Sequence, residues 1–149
     1  MPLGIVIDVS SVKTTEPLKV LFDAIMSEDT AALPWTEVLD AGIDAFAAFH
    51  ENEPGFRAVW LGLYLTKDMV VEGEALNRQF ADRVAKFLER ISKDIAPAER
   101  RLVATMIVET ISAMLIQAAR RGPREGKAIM QETKTMMRRY LAPYAAGKK

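Results

Sequence analysis

The chain has 149 residues, of which 50% are hydrophobic and 27% are charged, and this length and composition suit one globular domain with a buried core. It contains no cysteine and one histidine. Disulfides, thiolate metal sites and a cysteine nucleophile are therefore excluded, and the single histidine argues against a multi-histidine zinc site.

Net charge is zero overall, but the acidic and basic residues are unevenly spread. Residues 1–96 hold 9 Lys/Arg against 16 Asp/Glu, whereas residues 97–149 hold 11 against 4. A basic segment can indicate nucleic-acid binding. Here the stretch RRGPREGK lies at a predicted turn, and helix C-termini favour cations, so we favour solvated basic flanks of two C-terminal helices.

Every apolar stretch is interrupted by charge before it reaches the length of a membrane span, which needs about 20 apolar residues. The start, MPLGIVIDVS, lacks the basic region of a signal peptide. No membrane association is predicted, and we expect a cytoplasmic location.

The spacing of apolar residues predicts an all-α chain. Residues 1–14 are expected to form an extended or disordered arm, because GIVIDVS has no evident strand partner. Helical periodicity then predicts about six helices, and residues 146–149 read as a frayed tail. The predicted helices span about 15–25, 35–52, 55–65, 70–95, 97–121 and 124–142. Pro54, Pro97 and the pair Gly122-Pro123 mark the breaks.

The order of these segments resembles a known family. An aromatic helix is followed by HENEPGFRAVWLG, by EALNRQFADRVAKFLERI, by APAERRLVATMIVETISAML and by MQETKTMMRRYLAPY. Residues 15–145 are thereby similar to the C-terminal effector-binding and dimerisation domain of TetR-type transcriptional regulators. The resemblance rests on helix order and spacing.

The resemblance implies an orthogonal and antiparallel bundle of about six helices, in which the last two form a four-helix bundle with a second copy. In that family DNA is bound through an upstream helix-turn-helix module, and MPLGIVIDVSSVKTT is too short to form one. DNA binding is therefore assigned to no residue here. The chain is expected to be either an isolated domain or a version without the DNA-binding head.

The resemblance also implies a cavity for a small apolar effector among the helices of residues 35–121. Pockets between helices are lined by aromatic and flexible apolar side chains with a few polar groups. The residues expected to line it are Phe46, Phe49, Phe56, Trp60, Tyr64, Phe80, Val84, Phe87, Met106 and Glu109. The alternative is that the apolar members simply fill a core.

Glu109 stands out because it lies on a helix that is apolar almost all round, where an unpaired carboxylate is costly. It is predicted to anchor a polar group of the effector or to lie at the dimer seam. The alternatives are a solvent-facing position or an ion pair with Arg78 or Arg83.

The last two predicted helices offer more apolar surface than a monomer needs, which predicts a homodimer. The predicted interface residues are Ile107, Ile111, Met114, Ala118, Met130, Met137 and Leu141. The alternative is that the last helix packs wholly within one chain.

No catalytic residue, metal or cofactor is predicted. His50, Glu51 and Glu53 lack a nucleophile or metal partner, and the glycines do not form a phosphate loop. The sequence therefore predicts a regulatory domain and no enzyme. The alternative function is a headless interaction protein that pairs with, and modulates, a full-length transcriptional regulator.

Overall fold

The computed structural model describes Asp23, residues 33–52 and residues 67–146, and the side chains of residues 49–52, 67–73 and 76 lie outside this description. Four helices and no strand occur in these ranges: α1 Trp35–Asn52, α2 Lys67–Ile91, α3 Pro97–Arg121 and α4 Pro123–Ala145. The predicted all-α fold is confirmed. The predicted arm and the predicted helices at 15–25 and 55–65 fall outside the described residues, so a count of six helices stays a prediction.

The chain divides into two compact units. Met1–Arg57 contains α1, and Ala58–Lys149 contains α2, α3 and α4. In the second unit α2 packs against α3, and α3 packs against α4. Its most deeply buried large side chains are Leu88, Val103, Ile107, Thr133 and Leu141.

Helix α1 has the bounds that the sequence predicted. The carbonyl oxygen of Pro34 accepts hydrogen bonds from the backbone N–H groups of Glu37 and Val38, at 3.0 and 3.3 Å, and so closes the first turn. The buried residues of this helix recur on one face, as in an amphipathic helix. They are Val38, Leu39, Ile43 and Phe46.

Helix α2 begins three residues earlier and ends four residues earlier than the predicted range 70–95. The backbone N–H of Ser92 bonds to the carbonyl of Leu88 at 2.9 Å, and residues 92–96 then form the turn into α3. Ile95 is 4% exposed, and its carbonyl accepts a bond from the guanidinium of Arg100 at 3.0 Å. The predicted end of α2 was wrong. Ile95 continues the apolar spacing of the helix, but in the structure it is buried in the turn that follows.

Helix α3 begins and ends at the predicted residues. Pro97 takes the first helical position after an extended Ala96, and Glu99 lies in the first turn. Gly122 ends the helix with φ +86°, a conformation that residues with a β-carbon rarely adopt.

By length and composition alone, α3 is apolar enough to cross a membrane. In the structure, 33% of its most apolar stretch of 18 residues is buried. Core helices meet the same criterion. A buried stripe packs α3 into its unit.

Helix α4 runs three residues beyond the predicted range 124–142 and includes Pro143. A proline this close to the end of a helix removes one backbone donor without breaking the turns before it. The N–H of Ala146 bonds to the carbonyl of Ala142 at 3.0 Å. The rings of Tyr140 and Tyr144 meet edge to face across the proline, with centroids 6.0 Å apart, and support this last turn.

Candidate functional site

One face of α2 carries apolar residues that the sequence assigns to an effector cavity. Phe80, Val84 and Phe87 follow one another at spacings of four and three residues, which places them on one side of the helix. Phe80 is 2% exposed and Phe87 is 8% exposed, whereas Val84 is half-buried. This side of α2 is therefore an apolar wall whose two rings are shielded from water.

The other predicted cavity aromatics lie elsewhere in the chain. Phe46 is buried in α1, at 5% exposed. The side chain of Phe49 and all of Phe56, Trp60 and Tyr64 fall outside the described residues. A role for these five residues in ligand binding stays a prediction.

Helix α3 has a buried stripe and an exposed stripe. The buried stripe includes Val103, Ala104, Ile107, Val108, Ile111 and Ser112. The exposed stripe, on the other side of the helix, consists of Leu102, Met106, Glu109 and Ala113, and the half-buried Ile116 continues it. Leu102 is 62% exposed and Met106 is 49% exposed, so Met106 faces away from the buried side of α3.

Glu109 lies at the edge of this exposed stripe and is bonded to α2. The side-chain amide of Asn77 donates a hydrogen bond to Oε1 of Glu109 at 3.1 Å. The observed partner of Glu109 is thus the uncharged amide of Asn77. An ion pair with Arg78 or Arg83 was one of the alternatives that the sequence left open. Because a carboxylate only accepts, the amide nitrogen of Asn77 must face it, and this fixes the orientation of the amide group.

Two polar atoms near this contact are buried without a hydrogen-bond partner. They are Oδ1 of Asn77 and Oγ of Ser112. Ser112 is 3% exposed and lies one helical turn beyond Glu109 on the side that faces α2. Neither residue was predicted from the sequence. Ser112 follows Ala104 and Val108 at a spacing of four, which indicates a buried position but not that its hydroxyl lacks a partner.

Helices α3 and α4 form a hairpin whose backbones approach closely at one point. A β-carbon at Gly126 would lie 2.6 Å from the carbonyl oxygen of Ala118, so only glycine fits there without a shift. Continuing the antiparallel register from this contact places Ile107 at the level of Met137. Both are buried, at 2% and 3% exposed, which agrees with this register.

The structure places four of the predicted interface residues inside a single chain. Ile107, Ile111, Met137 and Leu141 are each no more than 8% exposed. The other three, Met114, Ala118 and Met130, are half-buried. The buried four hold the hairpin together, and they leave little side-chain surface for a second molecule.

A different side of the same hairpin is apolar and exposed. On α4, Met136 is 44% exposed, and Ile129 and Tyr140 flank it at helical spacing. These residues lie away from the buried Lys134 and Leu141 of the same helix. For antiparallel helices, this puts them on the same side of the hairpin as the exposed stripe of α3. We call this surface, formed by Leu102, Met106, Ile129, Met136 and Tyr140, the hairpin face.

The charged groups of the second unit are mostly at its surface. Arg101 pairs with Asp82 at 2.8 Å and Arg121 pairs with Glu125 at 3.0 Å, and all four side chains are more than half exposed. Within the described ranges, no group of three or more His, Cys, Asp or Glu residues could hold a metal ion. The arrangement offers apolar surfaces and one interhelical polar cluster.

Residues 34–141, well over half of the chain, match the family model described as Tetracyclin repressor-like, C-terminal domain. No curated protein and no solved structure matches the chain. The matched range begins one residue before α1 and ends within α4, so it takes in all four described helices. The chain therefore belongs to the family of tetracyclin repressor-like C-terminal domains.

Proposed function

We propose that the chain is the effector-binding and dimerisation domain of a TetR-like regulator. Domains of this family typically dimerise and bind small-molecule effectors, and they are regulatory. The effector is apolar, because the wall that α2 offers consists of Phe80, Val84 and Phe87. In a complete regulator, such binding shifts the relative placement of two DNA-binding heads through the dimer.

The observation that carries this proposal is the hairpin face. Large apolar side chains exposed next to one another usually meet a partner. Leu102, Met106 and Met136 are the large hydrophobic residues that are exposed in the described ranges, and all three lie on this face. Methionine is flexible and adapts to an opposing surface, which suits two such residues at a contact.

A second copy of the chain fits this face by symmetry. Two hairpins that pack face to face make a four-helix bundle with the same surface on both sides. In this arrangement the buried residues of the predicted interface stabilise each hairpin. Met114, Ala118 and Met130 remain predicted contacts near the hairpin tip.

Sedimentation velocity at micromolar concentration tests the dimer. We expect the wild type to sediment as a dimer and Met106→Lys and Met136→Lys to sediment as monomers, because each buries an unpaired ammonium group at the interface. The matched control is Gln131→Lys, which adds the same charge at an exposed position on another side of α4. A monomeric wild type would contradict homodimerisation and leave pairing with a full-length regulator as the alternative.

Titration with the neutral apolar fluorophore N-phenyl-1-naphthylamine tests effector binding. Val84→Phe fills space beside the aromatic wall of α2 and should weaken binding by about 10-fold or more, since overpacking costs about 1–3 kcal/mol. Gln79→Phe adds the same side chain at an exposed position of α2 and should bind like the wild type. No binding by the wild type, with no small molecule retained in native mass spectrometry, would refute effector binding.

A further inference from the structure

The seam between α2 and α3 contains three oxygen acceptors that have unused capacity. Asn77 uses its amide nitrogen on Glu109, which leaves its Oδ1 buried and without a donor. Ser112 is 97% buried and its Oγ has no partner. Glu109 has a second carboxylate oxygen beyond the one that Asn77 engages.

Leaving buried polar atoms unpaired is costly, and native structures usually pair them with protein, water or a ligand. One such atom belongs to Asn77, the residue that bonds Glu109, and the other belongs to Ser112, one helical turn beyond Glu109 on α3. Asn77 cannot turn its nitrogen toward Ser112 without placing its oxygen against the carboxylate of Glu109. Oδ1 of Asn77 can only accept and therefore needs a donor, and the hydroxyl of Ser112 can accept as well as donate.

We propose that Asn77, Glu109 and Ser112 form a site for the primary ammonium group of a small molecule. An alkylammonium group has three N–H donors, which matches the three acceptors, and its positive charge pairs with Glu109. Glu74 and Arg78, both exposed on the neighbouring turns of α2, carry opposite charges that offset each other.

A metal ion fits this set less well. Divalent cations take six or more oxygen ligands, commonly with several carboxylates, and this seam offers one carboxylate. A single water molecule can bridge the buried oxygens, but it does not supply a positive charge to pair with Glu109. The inference rests on the proposed effector binding and assigns the polar end of the effector to an amine.

The test compares three probes that share one apolar chain. Octylammonium has charge and N–H donors, octyltrimethylammonium has charge without donors, and 1-octanol has no charge. Binding to the full chain is measured by isothermal titration calorimetry below the micelle concentrations. Hydrogen bonds to charged groups contribute enough for about a 10-fold or larger preference for octylammonium over octyltrimethylammonium in the wild type.

Two variants remove the acceptors with little change of shape. Glu109→Gln keeps an oxygen for Asn77 and removes the charge, and Ser112→Ala removes the buried hydroxyl. We expect Glu109→Gln to abolish the preference for octylammonium and Ser112→Ala to reduce it, with 1-octanol binding unchanged in both. The control Glu89→Gln makes the same change on α2, about three turns beyond Asn77. The carboxylate of Glu89 is 62% exposed, and this variant should keep the preference for octylammonium.

The outcomes separate the site from the function on which it rests. Equal binding of octylammonium and octyltrimethylammonium to the wild type, or a preference that survives Glu109→Gln, would overturn the ammonium site and leave effector binding standing. Failure of all three probes to bind the wild type would overturn effector binding, and the ammonium site with it.

Discussion

Replacing Gly126 by alanine tests whether α3 and α4 touch along their backbones. A β-carbon at this position would lie 2.6 Å from the carbonyl oxygen of Ala118, 3.2 Å from its carbonyl carbon and 3.4 Å from its Cα, where ordinary contact begins at 3.4 Å. The crowded oxygen belongs to a helical backbone and cannot rotate away. The hairpin must therefore open at its tip to accept a methyl group.

The size of the effect follows from two opposing contributions. Overpacking of this kind costs about 1–3 kcal/mol. Alanine returns up to about 1 kcal/mol, because its helix propensity exceeds that of glycine. We expect Gly126→Ala to lower the free energy of unfolding by about 1–2 kcal/mol, which lowers the melting temperature by about 2–8 °C in a chain of this length.

Urea denaturation followed by circular dichroism, at one fixed protein concentration, measures this change. Gly42→Ala in α1 is the matched control, because a β-carbon there meets nothing within 4 Å. It should raise stability by about 0.5–1 kcal/mol through helix propensity alone. A Gly126→Ala variant as stable as the wild type would refute the close backbone contact.

Three further predictions concern α2 and α3. Leu88→Ala removes a fully buried side chain and should lower the free energy of unfolding by about 2–5 kcal/mol in urea titration; a loss below about 1 kcal/mol would mean that Leu88 is not in a packed core. Without ligand, Ser112→Ala should leave the free energy of unfolding unchanged or raise it by up to about 1 kcal/mol, because the lost hydroxyl has no partner. A clear loss of stability in the same titration would show that the hydroxyl has a hydrogen-bond partner. Asp82→Asn breaks the exposed pair with Arg101 and should cost less than about 1 kcal/mol, with a smaller cost at high salt; a larger, salt-independent loss would contradict a surface pair.

Helix bounds were predictable wherever the chain carries a residue that dictates local geometry. Pro97 at the start of α3 and Gly122 at its end fix both bounds. Helix α2 has no such residue at its end, and Ile95 prolongs the apolar pattern into a turn that tertiary packing creates. Helix α4 continues three residues past its predicted end and includes Pro143, since a proline near a helix end removes one hydrogen bond that the last turn does not need.

Of the three polar residues in the proposed ammonium site, only Glu109 could be predicted from the sequence. Glu109 was identifiable because a carboxylate on an apolar helix is unusual. Its partner Asn77 lies 32 residues earlier in the chain, and only the pairing of α2 with α3 brings the two together at 3.1 Å. Ser112 carries no local signal that distinguishes a buried hydroxyl with a partner from one without.

The division of α3 into a buried and an exposed side shows most clearly where sequence reasoning ends. The helix is apolar on both sides, so periodicity reveals that two partners are needed and does not say which side meets which partner. In the structure the backbone of Ala118 approaches Gly126, so the side of α3 that carries Ala118 faces α4. Ile107 and Ile111 are buried on this side, and Met106 is exposed on the other. A side chain on the exposed side is then free to meet a second molecule, and this is why the proposed self-association surface differs from the one that the sequence predicted.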